Sequence, residues 1–523
     1  MKRAIALLLA GLLTFSLLTS CGSKPAEEQT PVQKEETTAP ETETKEEVKE
    51  EVKEEVKEET KKEETKKEET KKEETVKERR PKLEVERLVT EGFDEKNVIA
   101  TFAAFADIHI FPDGDKSDYT TERLENALDF LNELTGYGMD AIVIAGDMTE
   151  LGANKEITPF TRTINDKLSD QMIPILFATG NHDKFNTGFY KATERKLYDE
   201  AFDADIDTGK LGLECRHSVV NGLHFIQVSA NGYKPNATHY NDQTMEWLKN
   251  SLEIAAKETP ANMPIFLSTH LPVYGTVFGS DAFFEKYADT WAWGSTDLQD
   301  LLKQYPQVVM MSGHTHYPQH AENTILQDGF TMINVGTMNY IVVDTGFSNE
   351  SSIPTGAVDV PSGMLFEVDA NGAVRIRRFD YNKMAEIGSP WVLSPMDSEN
   401  ALKEFDASRA EKVNTFPTKD LAAEVTGSGT TRKAKLTFTS ADSSENRVYF
   451  YQVDVKAGNS TGVKSQKYLT DFYLALQPED MKAAWEIEVD LTIGTSYEIT
   501  VTPYSVWDAA GESQTITVDL SNE

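Results

Sequence analysis

Five apolar runs, each too short for a helix and each ended by a polar loop, mark the middle of the chain: Val98 to Ala106, Ala141 to Ala145, Ile173 to Ala178, Pro264 to Leu267 and Val308 to Met311. Continuous apolarity of this length predicts strands buried on both faces, as in a parallel sheet. Between some of them, Thr121 to Leu134 and Thr158 to Leu168 repeat apolar residues at helical period. Strands alternating with helices predict an α/β layered fold over residues 92–395, a β-sandwich flanked by helices. Beyond a polar, helix-leaning stretch from Ser398 to Lys412 the period changes to two. Lys435 to Thr439, Arg447 to Val455, Ala484 to Leu491, Tyr497 to Pro503 and Gln514 to Leu520 alternate apolar and polar positions. That alternation, with Gly, Asn and Ser turns, predicts an all-β sandwich over 413–523.

The amino terminus follows neither pattern. Lys2 and Arg3 precede an apolar run from Ala4 to Leu18, then Leu18-Thr19-Ser20-Cys21. A charged start, a run of this length and small residues predict a secretory signal over residues 1–21, too short for a spanning helix. Leu-Thr-Ser-Cys resembles a bacterial lipobox, which implies cleavage before Cys21 and a lipid on its sulfur. An ordinary signal with a chance cysteine is the alternative. Residues 22–82 read as a stalk or linker: from Lys45 to Glu74 they repeat Glu-Glu-Val-Lys and then Lys-Lys-Glu-Glu-Thr units. Such composition cannot bury a core, although Glu and Lys near one-turn spacing permit a lone solvated helix. The expected location is the outer face of a bacterial cell membrane, held by the lipid, with the stalk crossing or touching a cell wall. A wall-spanning stalk favours a Gram-positive surface. Only Cys215 remains in the mature chain, so no internal disulfide forms, and Cys215 reads as a small buried apolar residue.

Charge narrows the partners. Through residue 80, 17 Lys and Arg face 21 Glu, so most of the net charge of −35 sits on the remaining residues. A body so acidic repels nucleic-acid polymers and anionic bilayers, so long DNA or RNA is a poor candidate substrate.

The chemistry lies in the loops that end the apolar runs: Asp107-Ile108-His109, Gly146-Asp147, Gly180-Asn181-His182-Asp183, His270 and Gly313-His314-Thr315-His316. Five of the nine histidines fall here. Loops at the carboxyl ends of parallel strands converge on one edge, so these segments can meet. Asp107, His109, Asp147, Asn181, His270, His314 and His316 then offer imidazole, carboxylate and amide donors suited to a pair of divalent ions, Mn, Fe or Zn. Asp107 and His109, two positions apart, share one face if the segment is extended. Asp147 is the natural bridge. Asn181 adds an oxygen without charge, and Gly146, Gly180 and Gly313 let the backbone turn beside the ions. A water between two such ions ionises near neutral pH and attacks phosphorus, with His182 placed to protonate the leaving oxygen.

In this order the segments resemble the calcineurin-like metallophosphoesterase superfamily, over residues ~95–390. The resemblance implies a first ion on Asp107, His109, Asp147 and His316, a second on Asp147, Asn181, His270 and His314, and His182 as proton donor. Where protein serine/threonine phosphatases carry Asp then Arg after the second motif, this chain has Glu150 and Leu151. Glu150 can still orient His182, but the phosphate-gripping arginine is missing, which argues against a protein phosphatase. Purple acid phosphatases have Gly at the place of His109 and a tyrosine ligand at the place of Glu150, so a tyrosinate–iron centre is not expected. What remains resembles the bacterial phosphodiesterase branch that includes class III cyclic-nucleotide phosphodiesterases. A phosphomonoesterase that scavenges phosphate is the alternative; a surface adhesin that has lost the chemistry is a second.

Trp485 and the strand from Tyr497 to Tyr504 loosely resemble a fibronectin type III module, read as a cap or spacer ahead of a wall-binding role. His217, His224, His239 and His320 are expected outside the ligand set, His320 being the one nearest to lining the pocket. Asn339-Tyr340 is expected to border it. Phe185, Phe189, Tyr190, Tyr233, Tyr240, Tyr274, Phe278, Trp291 and Trp293 read mostly as packing layers, with stacking on a base or sugar as the alternative.

Overall fold

The computed structural model describes residues 80–523 apart from 113, 115–118, 186–214, 234–237, 282–293 and 459. These belong to one compact unit, Glu78–Glu523. The signal segment, Cys21 and nearly all of the stalk lie outside the described residues, as do Phe189, Tyr190, Trp291 and Trp293.

Every apolar run became a strand. β1 (Val98–Phe105), β2 (Ala141–Ala145) and β3 (Ile175–Ala178) are parallel neighbours. On the other side of β1, β10 (Ser362–Asp369) and β11 (Val374–Asp380) continue the sheet in antiparallel order. A second sheet has six strands. In it β5 (Leu223–Val228), β6 (Ile265–Ser268), β7 (Val308–Ser312) and β9 (Thr331–Asn334) are parallel. β4 (Cys215–Val220) and β8 (Ile325–Gln327) close its edges in antiparallel fashion.

Because side chains alternate along a strand, each sheet offers one face to the other and one to helices. Ala100, Phe102 and Ala104 of β1 join Phe225, Phe266, Val309 and Met311 in a core between the sheets. Phe102 stands edge-on to Phe225 and Phe266, with ring centres 5.1 and 4.8 Å away. The intervening Ala103 and Phe105 pack on the apolar stripes of α1 (Tyr119–Leu134) and α2 (Asn154–Leu168). Ile265, Leu267, Val308 and Met310 face α3 (Asp242–Glu258) and the short α4 (Gln299–Leu302) in the same way. The result is helix, sheet, sheet, helix, as the pattern predicted. Cys215 is buried in the second outer layer and makes no disulfide.

The carboxyl-terminal alternation also holds. β14 (Ala422–Thr426), β15 (Thr431–Thr439) and β18 (Ala484–Thr492) form one antiparallel sheet. β17 (Val463–Leu469), β16 (Val448–Ala457), β19 (Ser496–Ser505) and β20 (Gln514–Asp519) form the other. Trp485, Ile487, Val489 and Leu491 point inward from β18 and meet Tyr451, Val453, Ile499 and Val501. The stretch before it departs from expectation. Ser398 to Lys412 holds turns and a single 3-10 turn over Ala407–Glu411, with Asp406 accepting from the Ser408 amide. Its side chains are spent on tertiary bonds: Arg409 donates to the Glu322 carbonyl at 2.9 Å, and the Phe405 amide to Gln327 at 3.0 Å.

Candidate metal centre

Parallel pairing sets the loops in line. Phe105 lies opposite Ile144, and Ser268 opposite Met311, so neighbouring strands end together. The loops are then sewn to one another. The Ile108 and His109 amides donate to the Asp147 carbonyl at 2.8 and 3.0 Å, and the Gly313 amide to the His270 carbonyl at 3.1 Å. Two ligand carboxylates also hold backbone: Asp107 accepts from the His314 amide at 2.9 Å, and Asp147 Oδ1 from the His182 amide at 2.8 Å.

This sewing bends the chain away from the extended form expected at Asp107-x-His109. Asp107 (φ 51°) and His109 (φ 49°) are left-handed, as are Asp147 (φ 50°), His314 (φ 72°) and His316 (φ 57°). Each such non-glycine residue carries conformational strain of order 1 kcal/mol or more. Gly146 and Gly180 serve close approach: a Cβ on Gly146 would lie 2.4 Å from His270 Nδ1, and one on Gly180 would lie 2.0 Å from Asp147 Oδ1.

All seven candidate ligands come together. His316 Nε2 lies 3.1 Å from Asp107 Oδ1 and 3.2 Å from His109 Nε2. His270 Nε2 lies 3.2 Å from Asp147 Oδ2, 3.1 Å from Asn181 Oδ1 and 3.1 Å from His314 Nδ1. Asp147 Oδ2 is also 3.8 Å from His109 Nε2, which places it between the two groups.

The outer partners decide what these atoms can do. His109 Nδ1 faces the Glu150 carboxylate at 2.9 Å, His270 Nδ1 the Ala145 carbonyl at 2.9 Å, and His316 Nδ1 the Tyr340 carbonyl at 2.9 Å. Each Nδ1 therefore donates outward, and in the neutral ring Nε2 turns a bare lone pair inward. Nε2 of His109 and Nε2 of His316 face each other, and both lie within 4 Å of buried Asp107 Oδ1. Acceptors crowded against acceptors suit cations, so the donor set fits divalent metal.

In the absence of an ion, protons supply positive charge: burial opposes it, but Asp107 and Glu150 hold His109 well above the ordinary imidazole range. Burial opposes ionisation of Asp107 and Asp147, yet surrounding imidazoles, led by His316 and His270 respectively, hold both carboxyls well below the usual range. Burial lowers His270, but Asp147 overcomes it and lifts the ring to about 9. Burial and then the adjacent His270 press His314 down to about 3.

His182 stands at the rim, 26% exposed in its side chain, with its ring 4.5 Å from that of His109. Its Nδ1 donates to the Glu150 backbone carbonyl at 2.7 Å, while the Glu150 carboxylate lies 3.8 Å away. Glu150 thus orients His182 through its main chain and reserves its carboxylate for His109. Asp183, the last residue of the Gly180-Asn181-His182-Asp183 segment, has a structural role that its place in the motif does not announce. Buried, it accepts from the amides of Met148, Thr149 and Gly180 and from the Thr149 hydroxyl, tying the second loop to the third.

Tyr340 borders the site as expected, its ring 4.6 Å from that of His316. Asn339 accepts from Tyr119 through its side chain and from Arg123 through its carbonyl. Phe185 is 57% exposed beside His182, and Tyr233 lies edge-on to His270 while donating to the Thr179 carbonyl. Tyr240 and Phe278 are packing residues, and Tyr274 is half-buried. His217 and His224, on neighbouring strands β4 and β5, form a buried pair at 2.8 Å outside the ligand set. His239 is buried against Ser295. His320 is buried with neither ring nitrogen hydrogen-bonded, and it joins none of the metal-holding groups among the described residues.

Residues 100–318 match the family model described as Calcineurin-like phosphoesterase. The match, with the buried Asp and His groups that could hold metal, indicates a metal-dependent phosphoester hydrolase domain in this region. No curated protein matches the chain. Among solved structures, the chicken CNTN1 FN1-FN3 domains align at 15% identity and a TM-score of 0.16, covering 30% of this chain and 42% of that one. A likeness that small carries no argument.

Proposed function

We propose that the protein is a surface-anchored hydrolase of small phosphodiesters, cyclic nucleotides among them, working with two divalent ions drawn from Mn, Fe and Zn. Asp107, His109, Asp147 and His316 would hold one ion, and Asp147, Asn181, His270 and His314 the other. When bound, the pair supplies Lewis acidity and an activated water for displacement at phosphorus. The chain does the rest. Asp147 keeps Oδ1 on the His182 amide and leaves Oδ2 to the centre, so one carboxylate fixes both the centre and the acid. His182 keeps its Nδ1 proton on the Glu150 carbonyl, and its Nε2 proton passes to the departing oxygen.

The observation that carries the diester reading is the charge beside the centre. Among the described residues the ion-pair partners of Asp107 and Asp147 are imidazoles and not guanidinium groups, and Glu150 adds a carboxylate next to His182. A monoanionic diester suits that rim better than a dianionic monoester. The test is bis-p-nitrophenyl phosphate against p-nitrophenyl phosphate with Mn present. Faster turnover of the diester is expected, and a large preference for the monoester would establish the phosphomonoesterase reading in its place. A catalytically dead adhesin predicts turnover of neither.

The anchor reading is supported by the Leu-Thr-Ser-Cys21 sequence and the stalk, which suit a lipid-held enzyme on the outer face of a bacterial membrane, in contact with a cell wall. Cys21→Ser should release the protein from membranes; retention would remove the lipid from the account. Two antiparallel sheets of three and four strands support a fibronectin type III-like reading of the carboxyl-terminal module.

A further inference from the structure

The carboxyl-terminal module is docked on the two loops that carry His270, His314 and His316. Tyr317, which follows His316 directly, is buried and donates from its hydroxyl to Asp344 Oδ1 at 2.6 Å. Tyr449, on β16 of the module and equally buried, donates to Asp344 Oδ2 at 3.0 Å, and its hydroxyl accepts from the Asp344 amide at 3.0 Å. One carboxylate at the solvent edge thus joins a ligand loop to the module. The segment leading to Asp344 already grips that loop: the Tyr340 carbonyl holds His316 Nδ1, and the Val342 amide donates to the His316 carbonyl at 2.9 Å. Phe278, eight residues past His270, stands edge-on to both Tyr317 and Tyr449, with ring centres 4.6 and 5.4 Å away. A Cβ on the next residue, Gly279, would strike the Tyr317 ring at 2.3 Å.

We propose that the module completes the metal centre, and that Tyr449 is a positioning residue acting through Asp344 and Tyr317 on the loop of His314 and His316. The chemistry favours this over a spacer. His314 and His316 sit in a left-handed backbone that must be held from outside, and the described partners of that loop include this seam. A spacer needs only an apolar contact. It does not need a two-oxygen junction one residue from a ligand. The inference rests on metal dependence and is independent of which phosphoester is cleaved.

The experiment uses the full chain. Tyr449→Phe keeps the ring and removes the hydroxyl. Tyr473→Phe is the control, since Tyr473 lies in the same seam but donates to the Thr355 carbonyl at 2.8 Å, away from the ligand loops. Apoprotein is titrated with Mn by calorimetry, and kcat and KM are measured on bis-p-nitrophenyl phosphate. Mn affinity in Tyr449→Phe should fall about tenfold, the lower end of what outer partners of metal ligands contribute. Turnover should fall with it at unchanged KM, while Tyr473→Phe stays near wild type in both. Should Tyr449→Phe fail to fold, Asp344→Asn reads the same junction. Wild-type Mn affinity in the junction variants, or an equal loss in Tyr473→Phe, would overturn the proposal. Wild-type protein that binds none of Mn, Fe or Zn would instead overturn the metal reading beneath it.

Discussion

His109 and His316, 207 residues apart in sequence, bring their Nε2 atoms to 3.2 Å while their Nδ1 atoms donate to Glu150 and to the Tyr340 carbonyl. Two ring nitrogens held that close need something positive between them, a metal ion or, without one, a proton. Metal removal is therefore expected to loosen the protein as well as silence it. Chelation should lower the unfolding midpoint, and Mn at a hundredfold excess over its Kd should restore about 2.7 kcal/mol. Scanning calorimetry with and without chelator decides; an unchanged midpoint refutes it.

Glu150 and His182 should separate by what they lose. Glu150→Gln removes the charge behind His109 but keeps the carbonyl that orients His182, so metal affinity should fall about tenfold. His182→Ala should keep metal and lose turnover by about 10²–10⁴-fold, the usual contribution of a positioned acid. Metal content by elemental analysis and kcat, measured on both variants, give opposite patterns if the roles are right.

Much of this was legible in the sequence because the ligands sit where apolar runs stop. The run up to Phe105 points to a buried strand, and the polar Asp107 and His109 beyond it then need a reason. The left-handed turn at those residues was not legible. It follows from amides of residues 108 and 109 reaching the Asp147 carbonyl, a bond between loops that no local pattern announces. Glu150 was singled out, but sequence does not say whether its carboxylate or its carbonyl meets His182. The Asp344–Tyr449 junction joins ordinary residues 105 positions apart, and neither departs from its local period.

Asp183 should matter for the fold more than for the reaction. Its carboxylate is the shared acceptor for three buried amides and a hydroxyl. Asp183→Ala strands those donors, which should destabilise the protein by about 3 kcal/mol. Denaturant unfolding measures it, and a loss under about 1 kcal/mol would mean that water replaces the carboxylate.

Away from the centre, His217 gives a dependence of stability on acid. Burial, then its partner His224, presses His217 from 6.5 down to about 4. The unfolded chain therefore takes up a proton below pH 6.5 that the folded chain refuses until about pH 4. Stability should decline across that window, by up to about 3 kcal/mol at roughly 1.4 kcal/mol per unit. His217→Gln should flatten the decline; an unaltered slope in pH-dependent unfolding would assign it to other groups.

The left-handed backbone at Asp107, His109, Asp147, His314 and His316 sets a limit on engineering. Heat-selected libraries reward glycine or asparagine at such positions, since both tolerate that geometry more cheaply than histidine or aspartate. A survivor toughened there would outlast its parent in the oven and have surrendered its trade.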